Sequence, residues 1–150
     1  YLVMSFFQGK ILLNFIIKIL NKPSINWSNF ELCSSLQISD FVDLLLEPIK
    51  SSHYNYRIKL GLHEALINAV THGNKLDPHK SIRVRRIVTP NWCVWQIQDR
   101  GNGLEINRRV YKLPKDISSF NGRGLYIINE CFDDIRWSNK GNRLQVALKR

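Results

Sequence analysis

Between Tyr56 and Asp99 the hydrophobic pattern changes its period once, and this change limits the fold more than any other feature of the chain. From about Tyr56 to Thr71 the apolar residues follow a helical repeat, with Leu62, Ala65, Leu66 and Ala69 on one face at 100° per residue. HGNKLDPHK then gathers Gly, Asn, Asp and Pro, the chemistry of turns. SIRVRRIVTP and NWCVWQIQD read as two strands, and the Pro90-Asn91 pair between them suits a hairpin. Along the second strand Cys93, Trp95, Ile97 and Asp99 point one way, Gln96 and Gln98 the other. A helix with one apolar face, followed by a hairpin with one apolar face, predicts a helical layer laid on a sheet.

The flanking segments extend the pattern. WSNFELCSSL reads as a strand. QISDFVDLLLEPIKSS reads as a helix, with Phe41, Leu44, Leu45 and Ile49 toward the core. GLYIINECFDDI reads as another, with Leu125, Ile128, Phe132 and Ile135 on one side. IRWSN and RLQVALKR form a closing hairpin around Lys140-Gly141-Asn142. The predicted fold is an α/β (α+β) two-layer sandwich, with a mixed, mostly antiparallel sheet and helices on one face. RGNGLEINRRVYKLPKDISSFNGRG has glycines at both ends and weak periodicity, the character of a functional lid.

Three short segments carry polar groups that the core does not explain. Glu64, Asn68 and His72 recur every four residues on the flank of the helix, where they can border a pocket between helix and sheet. A carboxylate there can act as a general base, and an amide oxygen can ligate Mg²⁺. Taken alone, the stripe reads first as a solvated helix flank. Asp99 ends an apolar strand face, where an unpaired carboxylate is costly, and a purine amino group would satisfy it. Gly101 and Gly103 follow at once and allow a flat ligand to approach the backbone. In NGRGLYII, Gly122 and Gly124 flank Arg123 at a helix start, which offers free N–H groups and a cation to a phosphate.

In this order the segments resemble the Bergerat-fold (GHKL) ATPases, which include histidine kinases and DNA gyrase. The resemblance runs from about Asn29 to the C-terminus: EALINAVTHGN is similar to the N box, DRGNG to the G1 box, and GRGLYII to the G2 box. The arrangement of Glu, Asn and His-Gly-Asn most resembles the anti-sigma-factor serine/threonine kinases of bacterial partner switching. The resemblance implies that Glu64 is the general base and Asn68 the Mg²⁺ ligand. It further implies that Asp99, with Gly101 and Gly103, holds adenine, and that Gly122, Arg123, Gly124 and Leu125 contact the phosphates of ATP. His72 falls within the same motif as an ATP-site residue. The implied partners are a sigma factor, an anti-sigma antagonist protein and a second copy of the chain in a homodimer. Two departures stand out. KGNRLQV lacks the Thr that supports adenine in many members, and the lid is unusually basic (Arg108, Arg109, Lys112, Lys115). The alternative is an ATP-binding regulatory module that grips a protein partner without kinase activity.

The chain of 150 residues suits one domain, and 44% hydrophobic content excludes a disordered chain. YLVMSFFQGKILLNFIIKIL is apolar but interrupted by Lys10 and Lys18, and Pro23 ends it. Residues 1–25 are therefore expected to form an extension, with the ATPase domain over 26–150. Contact of that extension with a membrane surface is the less favoured reading. Cys33, Cys93 and Cys131 show no CxxC spacing, so neither a disulfide framework nor a zinc site is expected, and a reducing cytoplasm is the simplest setting. The net charge of +10 favours anionic partners. Arg83 and Arg85 share the polar face of one strand, which reads as a solvated face in preference to a nucleic-acid site, and which an acidic protein could also meet. His53 in SSHYNYR does not resemble the phosphoacceptor of a histidine kinase.

Overall fold

The computed structural model describes residues 27–34, 38–49, 55–105, 107, 109, 111–112 and 123–150. The expectations for residues 1–25, His53, Arg108, Lys115 and Gly122 lie outside the described residues. In chain order the elements are β1 (Ser28–Cys33), α1 (Ser39–Leu46), a 3₁₀ turn (Glu47–Ile49), α2 (Asn55–Asn68), a π turn (Ala69–Gly73), β2 (Ser81–Val88), β3 (Trp92–Gln98), α3 (Gly124–Cys131), β4 (Asp134–Trp137) and β5 (Arg143–Lys149). The strands form one sheet in the order β1-β2-β3-β5-β4. All the described pairings are antiparallel, so no parallel pair of a mixed sheet occurs among the described residues.

The period-2 pattern decides which sheet face is buried. Ile82 and Val84 of β2, Trp95 and Ile97 of β3, and Val146 of β5 are withdrawn from solvent and join Val42, Leu45, Ile58, Leu62, Leu66 and Ile128 of the three helices in one core. Trp95 lies at its centre. Its ring tilts against Phe132 at 6.0 Å between centroids, and its indole N–H donates to the Leu45 carbonyl at 3.2 Å. Arg86 also points to this inner side and ends on the C-terminus of α1. Its Nη1 donates to the carbonyls of Leu44 (2.9 Å) and Leu45 (3.3 Å), and its guanidinium lies over the Phe30 ring. Unsatisfied carbonyls and negative dipole meet a cation there, the favourable pairing for a helix end.

Two expected faces need correction. In α1 the buried residues are Val42, Leu45 and Leu46, continued by Ile49, while Leu44 is 44% exposed and Phe41 half-buried. Positions i, i+3, i+4 and i+7 make a straighter helical stripe than the 41–44–45–49 set. At the other end of the domain α3 stops at Cys131, and Ile135 lies in β4 opposite Val146 instead of on the helix. Asp133 ends the helix because β5 claims it: its N–H donates to the Ala147 carbonyl (2.9 Å), and its carboxylate accepts the Lys149 N–H (2.7 Å). The three cysteines are free, and burial pushes the Cys93 thiol up to about 12. Among the described residues no helix is long and apolar enough to cross a membrane.

Candidate functional site

The helical repeat that buries Leu62 and Leu66 leaves Glu64 and Asn68 half-buried on the flank of α2. The start of α3 rests on that flank. A methyl group built on Gly124 would lie 2.9 Å from Asn68 Nδ2, 3.1 Å from its Oδ1 and 3.2 Å from Glu64 Oε2. Only a residue without a side chain lets the backbone come so close. Arg123 occupies the N-cap position of α3, and its side chain makes no capping hydrogen bond to the first turn. The half-buried Arg123 has a buried Nε with no hydrogen-bond partner among the described residues. Leu125 is half-buried beside them.

Beyond Asn68 the helix does not simply end. It widens into the π turn Ala69–Gly73, and Asn74 closes the turn by donating its N–H to the Ala69 carbonyl at 2.8 Å. Single π turns inside helices are frequent at functional sites. This one delivers Gly73 to Asp99: a methyl on Gly73 would lie 2.7 Å from both Cβ and Oδ2 of Asp99. His72, on the same turn, is exposed. One short turn thus separates the Glu64–Asn68–Gly124 contact from the Asp99 contact.

Asp99 follows the last residue of β3 and is half-buried. Its Oδ1 accepts the Gly101 N–H at 2.7 Å. Gly101 packs against the Gly73 carbonyl, and a methyl there would also lie 2.9 Å from Asp99 Oδ1. Burial pushes the Asp99 carboxyl above its ordinary range, partly offset by the Gly101 N–H. The turn between β4 and β5 holds this loop from the other side. Asp99 donates its N–H to the Asn142 carbonyl (3.0 Å), the Asn142 amide donates back to the Asp99 carbonyl (3.3 Å), and Leu104 donates to Gly141 (2.9 Å). Gly103, with φ +90°, packs on the Lys140 carbonyl, a conformation and a closeness that suit glycine. Asn142, in the last hairpin, thus braces the backbone of Asp99.

Asn74 is the residue whose role the sequence pattern did not reveal. It is fully buried. Its Oδ1 accepts the Arg100 N–H (2.8 Å) and its Nδ2 donates to the Ser81 carbonyl (3.3 Å), so one amide ties the π turn to β2 and to the Asp99 loop. The signal was present in HGN, an amide placed directly after an apolar helix face, but its partners lie elsewhere in the chain. Arg100 extends the network: its Nε donates to Ser81 Oγ (3.1 Å), and its Nη2 meets Glu31 (3.4 Å). Arg109, one of the basic lid residues, is an anchor at the loop's root. Its Nε and Nη2 donate to the Leu104 carbonyl (3.1 and 2.9 Å), and its guanidinium lies 5.5 Å from the Trp137 ring centre.

Among the described residues no three His, Cys, Asp or Glu side chains converge as a metal cage. The amide oxygen of Asn68 and a carboxylate oxygen of Glu64 both lie beside Gly124, and an amide oxygen is a ligand type that a hard cation such as Mg²⁺ accepts. A family model described as histidine kinase-like ATPase domain matches residues 42–148, from within α1 to within β5. A search of curated proteins returns no match.

Proposed function

This chain belongs to the histidine kinase-like ATPase domain family, and from that premise we propose that it is an ATP-dependent serine/threonine kinase of the partner-switching type. Its substrate in this reading is a small antagonist protein, and its other partner is a sigma factor that it holds inactive. The observation that carries the reading is the seating of Gly124 on Asn68 and Glu64, which gathers an amide oxygen, a carboxylate and an uncapped helix start in one place.

The residues divide the work by their chemistry. Asp99 offers a half-buried carboxylate walled by Gly73 and Gly101, and accepts a hydrogen bond from the adenine amino group. Gly101 and Gly103 keep side chains out of the space that a flat ring needs. The N–H groups at Gly124 and Leu125 and the Arg123 guanidinium, with Gly122 before them, receive phosphate oxygens. Asn68 presents its amide oxygen to Mg²⁺, and Glu64, one helical turn earlier, takes the proton from the attacking hydroxyl. His72 borders the site from the π turn. Bound Mg·ATP supplies the phosphoryl group and the neutralising charge. A homodimer is the assembly proposed with this reading.

The test is incubation of the chain with ATP, Mg²⁺ and candidate antagonists, read by mass spectrometry for phosphoserine or phosphothreonine. Transfer that Glu64→Ala abolishes, with ATP binding retained, supports the reading. Transfer that survives Glu64→Ala refutes the assignment of the base. ATP binding with no transfer to any antagonist leaves a nucleotide-dependent regulatory module instead.

A further inference from the structure

All three helices pack on the inner face of the sheet. The outer face is built from the alternate residues of the same strands. There Glu31 and Asn29 of β1 stand opposite Arg83 and Arg85 of β2, which stand opposite Gln98 and Gln96 of β3. Asn29, Phe30, Glu31, Arg83 and Arg85 line an open depression of about 460 Å³.

Its charge is unbalanced. Glu31 is the carboxylate in the depression, and it is already engaged by the Ser81 hydroxyl and by Arg100. Arg83 is exposed. The Arg85 guanidinium lies over the Trp27 ring, 4.7 Å from its centre, and its Nε is buried with no hydrogen-bond partner among the described residues. Next to it, Gln96 donates to Gln145 (2.8 Å), while its own oxygen has no donor among the described residues. A guanidinium held against an aromatic ring beside an open depression suits a carboxylate, which arginine binds through two parallel hydrogen bonds.

Spacing narrows the occupant. Arg83 and Arg85 are two residues apart on one strand, hence roughly 7 Å apart along it. An extended peptide with acidic side chains at alternate positions repeats at the same distance. A nucleic-acid strand binds by stacking bases on open aromatic faces, and one face of the Trp27 ring is taken by Arg85. We propose that the outer-face depression docks an extended acidic segment of a protein partner, with its carboxylates on Arg83 and Arg85. This surface is separate from the Asp99–Gly124 site and independent of whether that site transfers phosphate.

The experiment uses the full chain and a fluorescein-labelled peptide of five Glu-Thr repeats, read by fluorescence anisotropy, with a ten-residue oligothymidylate as the competing probe. Arg83→Glu/Arg85→Glu should weaken the peptide by about tenfold or more, whereas a charge-matched control on exposed residues elsewhere, Lys75→Glu/Arg150→Glu, should change it by less than about twofold. The milder Arg83→Gln/Arg85→Gln pair, expected to weaken the peptide in the same direction, carries the test if charge reversal disturbs folding. Equal losses in the arginine pair and the control would reduce the effect to net charge and overturn the proposal. So would the absence of peptide binding, or an oligothymidylate that binds more tightly than the peptide and depends on the same arginines.

Discussion

Replacing Asn74 with alanine removes a wholly buried amide that serves three segments of chain. Its backbone N–H bond to Ala69 survives, but the Arg100 N–H loses an acceptor at 2.8 Å and the Ser81 carbonyl loses a donor at 3.3 Å. A partner group left unsatisfied away from water costs about 1–3 kcal/mol. The Arg100 bond is short and central, whereas the Ser81 bond is long and both lie only partly buried, so the sum is placed at about 2–3 kcal/mol. With a urea dependence of about 1–3 kcal/mol per molar, the unfolding midpoint should fall by roughly 1 M. The same change frees the loop that carries Asp99, so ATP affinity should fall about three- to tenfold through lost preorganisation. Urea titration followed by circular dichroism and calorimetric titration with ATP measure the two effects. Lys75→Ala, at the exposed neighbouring position, is the control and should stay within about 0.5 kcal/mol of the parent. An unchanged midpoint would refute the clamp itself. A lowered midpoint with unaltered ATP affinity would refute its link to the nucleotide site.

Asp99→Asn should separate stability from binding. The native Asp99 carboxyl is raised above its unfolded value, chiefly by burial, so the stability it contributes is present below the unfolded pKa and is lost as pH rises through the folded one. The amide keeps the acceptor for the Gly101 N–H and carries no charge, so the nucleotide-free variant should be more stable than the parent at neutral pH and should lose that part of the acid-range dependence, while ATP binding weakens sharply. A parent advantage in thermal midpoint at pH 7 would contradict this reading. Arg86→Met should cost about 1–2 kcal/mol in urea titration, because the Leu44 and Leu45 carbonyls at the end of α1 lose their charged donor, with no direct effect on ATP affinity.

Much of this domain was legible in local patterns. The inward set Leu62, Ala65, Leu66 and Ala69, and the alternation that buries Cys93, Trp95 and Ile97, depend only on helix and strand periods, which are properties of a few adjacent residues. Glycine-bearing segments marked two of the places where backbone and side chain meet closely, at Gly101 beside Asp99 and at Gly124 beside Asn68. Where the periodic reading failed, a competitor stood nearby. In the short helix α1 a shift of one residue turns the face by 100°, and Val42 and Leu46 won over Phe41 and Leu44. Ile135 continued the helical pattern of 125, 128 and 132, but pairing with Val146 drew it into a strand.

The residues that only the tertiary structure identified share one property: their partners are distant in sequence. Asn74 reaches Arg100, Asn142 reaches Asp99, and Arg86 reaches the end of α1. Which strands become neighbours, and in what register, decides those meetings, and strand order is a sum over the whole core that no short window contains. From the sequence alone came the element types, most of the buried faces and the ordered polar motifs. The fold supplied the contact of α3 with Asn68 and Glu64, and the single amide that holds the π turn to the Asp99 loop.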